Sequence, residues 1–573
     1  MSSLGVVASG AAADAVAAKV PGLVEAKFAS CLFAQDATMW GPDAESEAAI
    51  RLSWVNLPRS SRPLLGEISA LREQLRSEGV DRIVLCGMGG SSLAPEVICA
   101  TAGVHLVVLD SSQPDMVRDA IVDLERTAVV VSSKSGSTVE TDSQRRAFQA
   151  AFSDKGIDPT TRIVVVTDPG SPLDTEARAG GYRVVNADPN VGGRYSALTA
   201  FGLVPSGLAG ADIEALLDDA EAVADVLSAD DDANPGLRLG AAIAGAEPLR
   251  DKLVLVDAGT SAKGFPDWAE QLIAESTGKQ GTGILPVVVS GVDDPEVRWP
   301  ALDVTVVRLV ADESEEGETD QAGGSDDLGG ADDLGGADDL GGADDETQLH
   351  ADHSTIEVSG PLGAQLLLWE VATAVAGRLL GIDPFDQPDV ESAKKAAREL
   401  LDRGIGGSDA PAATDGAVEI RALGGDWLGG ASTIGAALEA LLGQLDPKRG
   451  YLAVTAYLDR LTDASLADVR PVLARRTERP TTFGWGPRFL HSTGQFHKGG
   501  PPVGVYLQVT TAAHEDLPIP GRDFTFGQFI AAQAAGDAQV LAQHGRPVLR
   551  LHLVDHDAGL SQVVAALSAQ GEA

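Results

Sequence analysis

The sequence predicts an α/β protein with two doubly wound parallel-sheet lobes, a helical N-terminal segment and an additional C-terminal α/β region. Three observations carry this expectation. Short runs rich in Val, Ile and Leu occur at 83–85, 105–109, 128–131, 162–167 and 183–186, separated by segments of helical character. Runs so uniformly apolar fit strands covered on both faces, as in a parallel sheet between helices. The pattern resumes at 253–256, 284–289 and 304–310, which predicts a second lobe of similar build. Two strands of the first lobe run into loops dense in glycine and hydroxyl residues, where a parallel sheet presents a ligand at the carboxyl ends of its strands.

Taken in order, residues 1–78 read as a mainly helical segment that includes Trp40 and Trp54. The first lobe is expected over 79–235, with the turn Thr167-Asp168-Pro169-Gly170-Ser171-Pro172-Leu173 closing one of its units. The second is expected over 236–403. Its long apolar pattern at 364–380 contains Glu370 and Arg378, so it predicts a buried core helix and not a membrane span. An acidic insert at 311–348 interrupts this lobe, with strands expected on either side at 304–310 and 355–358. Within the insert the hexad Gly-Gly-Ala-Asp-Asp-Leu recurs, and Ala311 to Glu346 holds 15 acidic residues without Lys or Arg. Low hydrophobicity and dense charge predict a solvated, disordered segment, and the nonapeptide spacing of calcium rolls is absent. The region 404–573 opens rich in Gly and Ala. Strands follow at 451–456, 503–509 and 548–554, with a helix near 466–476, as a third α/β unit or an elaborated part of the second lobe. Gly404-Ile405-Gly406-Gly407-Ser408 imitates a glycine loop, but no strand leads into it and Pro411 follows, so it reads as a decoy.

Composition narrows the function. The formal net charge is −41, and outside the acidic insert 43 basic residues still face 69 acidic ones, or −26. Such a balance argues against nucleic-acid binding. The N-terminus shows no positively charged apolar leader, and the only cysteines are Cys31, Cys86 and Cys99, an odd and widely spaced set. These features predict a cytoplasmic protein with no membrane partner and no structural metal.

The most informative stretch runs from Val129 to Thr141. A β-branched run gives way to Ser132-Ser133-Lys134-Ser135-Gly136-Ser137-Thr138 before an amphipathic pattern begins. That is a strand delivering hydroxyls to a helix N-terminus, where unpaired N–H groups and the dipole favour a phosphate. Each hydroxyl donates to a phosphate oxygen without adding charge. The Walker order of glycine then lysine is missing, so a nucleoside triphosphate is not indicated. Upstream, Cys86-Gly87-Met88-Gly89-Gly90-Ser91-Ser92 forms a second strand-to-loop junction, weaker alone because glycines there often serve only a turn.

Four further segments concentrate polar groups where an apolar pattern stops: Gly192-Gly193-Arg194-Tyr195-Ser196, Glu275-Ser276-Thr277-Gly278-Lys279, Phe385-Asp386-Gln387-Pro388-Asp389-Val390-Glu391-Ser392-Ala393-Lys394, and His491-Ser492-Thr493-Gly494-Gln495. Each has a structural reading in isolation. Arg194 could cap a turn, Glu275 could lie near a helix end, and Lys394 could belong to an exposed lysine pair. Together they resemble the phosphoglucose isomerase family, whose S-K-[ST]-x-[ST]-T-x-E-T, G-G-R-[FY]-S, E-S-x-G-K and F-D-Q-x-x-V-E-x-x-K elements match between about residues 80 and 400. Residues 484–495 resemble the end of the bacterial transaldolase–phosphoglucose isomerase fusions, although the first ~80 residues are too short for a transaldolase barrel.

The resemblance implies two sugar-isomerase (SIS) lobes, a hexose 6-phosphate substrate, no cofactor and a homodimer. It implies that Ser133, Lys134, Ser135, Ser137 and Thr138 hold the phosphate, with Gly89, Gly90 and Ser91 along the sugar. Glu275 would shuttle the proton between C2 and C1, Arg194 would stabilise a cis-enediolate, and Lys394 with a histidine would open the ring. The family's histidine falls between the glutamate and the lysine. Here no histidine lies between Glu275 and His350. His491 is the expected substitute, ahead of His497, His350 and His353, and a partner subunit is the other source.

The chemistry agrees with these residue types. Moving a carbonyl between C1 and C2 needs a carboxylate that takes a carbon-bound proton and returns it one atom away. It needs a fixed cation where enediolate charge develops, and a phosphate handle that orients the sugar. The expectation is a glucose-6-phosphate isomerase activity. A non-catalytic sugar-phosphate-binding regulatory protein and an isomerase that also accepts mannose 6-phosphate are the alternatives.

Overall fold

A computed structural model describes residues 4–311, 353–403 and 410–569. The acidic insert from 312, including His350, and the Gly404–Ser408 motif lie outside the described residues.

The first lobe contains β2 (Arg82–Gly87), β3 (Val107–Leu109), β4 (Thr127–Ser132), β5 (Ile163–Thr167) and β6 (Arg183–Asn186), following β1 (Gly5–Gly10) near the start of the chain. Its strand order is β3-β2-β4-β5-β6, with every pair parallel. The uniform hydrophobicity of these strands is explained by their two buried faces. Ile83, Leu85, Ala128, Val130, Val164 and Val166 enter one core, while Val84, Cys86, Val129, Val131, Ile163 and Val165 enter another on the opposite side. Each such buried Val or Leu contributes about 1.5–3 kcal/mol of transfer free energy. The order reverses between β2 and β4, so the crevice at their carboxyl ends is a topological switch point.

The second lobe has β7 (Lys252–Ala258), β8 (Leu285–Val288), β9 (Val304–Val310) and β10 (Ser354–Ser359) in the order β1-β10-β9-β7-β8. The strands expected on either side of the acidic insert are thus parallel neighbours. The N-terminal segment is mainly helical, as expected, but opens with a strand that the sequence reading did not anticipate. Its β1 pairs antiparallel with β10, and helices begin at Ala11. A strand of Gly-Val-Val-Ala-Ser-Gly is too short to show periodicity, and the open edge of β10 provides its partners. The apolar helix Leu362–Leu380 is buried along most of its length. No helix among the described residues is long and apolar enough to cross a membrane.

The C-terminal region forms its own six-stranded sheet from β11 (Ala413–Asp415), β12 (Val418–Leu423), β13 (Tyr451–Tyr457), β14 (Thr481–Trp485), β15 (Gly504–Thr511) and β16 (Val548–Leu553), ordered β11-β12-β16-β15-β13-β14. It packs one core of its own and contributes Tyr451, Ala453, Tyr506 and Val548 to a core shared with Val254, Val256, Val304 and Val306 of the second lobe. Ion pairs fasten it on both sides. Arg488 reaches Asp110 in the first lobe, Arg470 reaches Glu296 and Arg479 reaches Asp303 in the second.

Candidate active site

Three sheets meet around a cavity of about 490 Å³ whose wall includes Gly90, Ser91, Ser133, Lys134, Ser135, Ser137, Thr138, Arg194, Glu275, Lys394 and His491. Eleven of the twelve residues singled out from the sequence therefore line one space. Gly89 is the exception and lies beneath it. Its backbone is left-handed (φ +57°), and a Cβ there would come within 2.8 Å of Gln271 Nε2 and 3.0 Å of the His491 carbonyl. At Gly90 a Cβ would lie 2.0 Å from the Gly193 carbonyl, so a glycine is required there for the first loop to touch the Arg194 turn.

The hydroxyl cradle follows β4. Ser135 Oγ and Ser137 Oγ are 2.7 Å apart, the Ser133 hydroxyl accepts from Gly136 N at 3.2 Å, and both Ser135 and Ser137 are exposed. Gly136 has φ +72° and leaves no room for a side chain against Leu173. Thr138 occupies the N-cap position of helix Val139–Asp154 without capping it, so its hydroxyl is not committed to the helix end. Lys134 pairs with Asp168 at 2.7 Å, while burial pulls its pKa down against that partner.

Glu275, on helix Phe265–Thr277, lines the same cavity. Burial pushes its carboxyl up from the ordinary range, opposed by the charges of Arg194, His491 and Lys394. Gln271, one turn earlier, donates to Glu275 Oε2 at 3.2 Å, and Arg194 Nη1 lies 3.8 Å from the same oxygen. The guanidinium is buried and held in place. It donates to Ser276 Oγ (2.7 Å), Gln387 Oε1 (2.5 Å), the Pro384 carbonyl (2.7 Å) and the Asp386 carbonyl (2.9 Å). Lys279 secures the same 383–386 loop from below, donating to two of its carbonyls and to Asp386 Oδ1. Burial lowers its ammonium to about 8. This lysine of the E-S-x-G-K element serves the loop and does not line the cavity.

His491 ends the short helix Arg488–His491 of the C-terminal region. Its Nε2 lies 3.2 Å from Glu140 Oε1. A carboxylate only accepts, so Nε2 carries the proton in this contact. Glu140 is buried, which raises its carboxyl, but hydrogen bonding to His491 and the charges of His491 and Lys394 outweigh this and hold it below the ordinary range. Among the described residues His491 is the histidine on the cavity wall. His497 lies off it, stacked on Tyr451 at 5.8 Å and hydrogen-bonded to that hydroxyl, with burial and nearby cations keeping its ring well below the usual pKa. His353 is exposed beside Ala11.

Sequence reasoning assigned no role to Arg51, Glu140, Asp168, Arg398, Lys498, Phe529 and Gln533, which also line the wall. Glu140 stood inside the phosphate-loop motif. The others had no local signal.

No family model matches the chain. It is 31% identical over 365 residues to a protein named probable glucose-6-phosphate isomerase from Natronomonas pharaonis, covering 58% of this chain and 82% of that one. A glucose-6-phosphate isomerase of Rubrobacter xylanophilus is 30% identical over 390 residues, or 61% of this chain and 89% of the relative. The chain belongs to the glucose-6-phosphate isomerase family. The crystal structure of a hypothetical protein from Thermus thermophilus superposes with a TM-score of 0.54 at 24% identity, covering 69% of this chain and all (100%) of that one, and shares its fold. Membership in the family directs attention to proton transfer within the cavity.

Proposed function

We propose that this protein interconverts glucose 6-phosphate and fructose 6-phosphate through a cis-enediolate. The observation that carries the reading is that the 133–138 cradle and the Glu275 carboxyl line the same cavity, with Arg194, Lys394 and His491 between and around them. The phosphate is held by the Ser133, Ser135, Ser137 and Thr138 hydroxyls, and its binding energy orients the sugar chain toward Glu275. Glu275 removes the C2 proton and returns it at C1. A carboxyl raised by burial is a stronger base, nearer the operating pH, than a solvated one. The pre-fixed guanidinium of Arg194 stabilises the enediolate oxygens, an effect of about 10²–10³ in rate when the donor is rigid and shielded from water. His491, aligned by Glu140, and Lys394 move the protons that open the pyranose.

A cytoplasmic setting, supported by three unpaired cysteines, and a homodimer complete the reading. The cavity wall is supplied by one chain, so dimer formation is not needed to bring in the histidine. The test is a coupled assay in both directions, with proton exchange at C2 followed by NMR in deuterated water. Glu275→Gln is expected to abolish exchange while sugar-phosphate binding persists; undiminished turnover would remove Glu275 from the mechanism.

A further inference from the structure

We infer that Gln533, on a helix of the C-terminal region, is a positioning residue that fixes the Glu140–His491 pair, with Ser112 of the first lobe anchoring the oxygen of its amide. The inference rests on the isomerase reading above and concerns a cavity-wall residue whose hydrogen-bonded link to His491 runs through Glu140.

Helix Phe526–Gln543 lies along helix Val390–Arg403, which carries Lys394. At Gly536 the two approach so closely that a Cβ would be 2.9 Å from Ala397 N. From this helix Gln533 reaches back into the first lobe. Its Nε2 donates to Glu140 Oε1 at 2.7 Å, and its Oε1 is 2.5 Å from Ser112 Oγ. All three side chains are buried. The arrangement leaves a single consistent set of donors. Glu140 as a carboxylate accepts only, so the amide nitrogen must face it, and the amide oxygen facing Ser112 must receive that hydroxyl's proton. Glu140 Oε1 thereby accepts from Gln533 and from His491 Nε2 together. Two donors on one oxygen restrain the carboxylate, and the carboxylate selects the His491 tautomer with Nε2 protonated and Nδ1 free to take a proton. The charged groups acting on Glu140 are His491 and Lys394. Gln533 adds a neutral donor that supports the anion without competing for the proton.

The test uses the full chain. Gln533→Leu keeps much of the volume and removes the donor. A roughly tenfold fall in kcat with KM nearly unchanged is expected, a fraction of what an acid–base group contributes. Ser112→Ala removes the anchor on the amide oxygen, loosening the side chain that holds Glu140, and is expected to lower kcat about threefold, with the double variant no worse than Gln533→Leu alone. Ring-nitrogen NMR of protein labelled in histidine, with His491 assigned through His491→Gln, should show Nε2 protonated in the parent and a tautomer mixture in Gln533→Leu and in Ser112→Ala. Parent-like kcat and tautomer in Gln533→Leu would overturn the inference, as would losses that multiply in the double variant. If Gln533→Leu does not fold, Ser112→Ala decides through the same NMR signal. An unmutated protein without isomerase activity would refute the isomerase reading instead, and the tautomer measurement would still judge the relay.

Discussion

The two ends of the cavity are built in opposite ways. The cradle end is a single stretch between β4 and the following helix, and its Ser135 and Ser137 hydroxyls face solvent. The reacting end takes Arg194, Glu275, Lys394 and His491 from four separate segments, with Arg194 and Glu275 buried. A neutral hydroxyl costs little to leave in water and needs no protein partner. A guanidinium or carboxylate taken out of water needs hydrogen bonds and counter-charges, so each brings its own support. On the proposed reading, grip is written locally, and chemistry requires the whole tertiary structure.

That contrast can be broken by substitutions at each end. His491→Gln, at the reacting end, is expected to lower kcat by about 10²–10³ with little change in KM, as measured by steady-state kinetics. Ser135→Ala combined with Ser137→Ala should do the reverse, raising KM at least about tenfold, the equivalent of one hydrogen bond to a charged group, with kcat changed less. If the cradle variant lost kcat and not KM, the division between grip and chemistry would fail. The pH profile sharpens the reacting end further. As the proposed base, Glu275 would work only as the anion, and burial raises its carboxyl, so kcat/KM should fall on acidification at a pH above the ordinary glutamate value of about 4.3. The same shift means that ionised Glu275 opposes folding, with stability greater below its raised pKa and lost as pH rises through it. Glu275→Gln should accordingly not lower Tm, while Glu275 variants that keep the charge should retain the cost. The smallest effect is expected at the seam between the ends. Gly90→Ala places a Cβ against the Gly193 backbone and should destabilise by roughly 1–3 kcal/mol in a denaturant melt.

What could be read from the sequence follows the same division. The strands of both lobes were legible because burial on two faces leaves no polar positions in them, as at Val129, Val130 and Val131. β1, β11, β12 and β14 were not. β1, β11 and β14 are short and rich in Gly, Ala or Thr and are completed by a neighbouring strand, while β12 alternates apolar residues with Glu419 and Arg421 over only six residues between β11 and β16. The cradle was legible from its own residues as a hydroxyl-rich loop at a helix N-terminus, and it lines the cavity. Glu275, Arg194 and Lys394 became readable only in combination, since each side chain has an ordinary structural use. Glu140 passed unnoticed because an acid in the first turn of a helix is already accounted for by the helix dipole. Its partner His491 is 351 residues away, a separation that no local pattern bridges.

The cavity wall presents Arg51, Lys134, Arg194, Lys394, Arg398 and Lys498 against Glu140, Asp168 and Glu275, inside a chain whose formal charge is −41. A dianionic sugar phosphate is thus repelled at long range and attracted only near the entrance. With a Debye length of about 8–10 Å in physiological buffer, dissolved ions damp the distant repulsion more than the attraction within the pocket. Moderate ionic strength should quicken substrate capture here, the opposite of the usual behaviour of an enzyme whose overall field draws its substrate in.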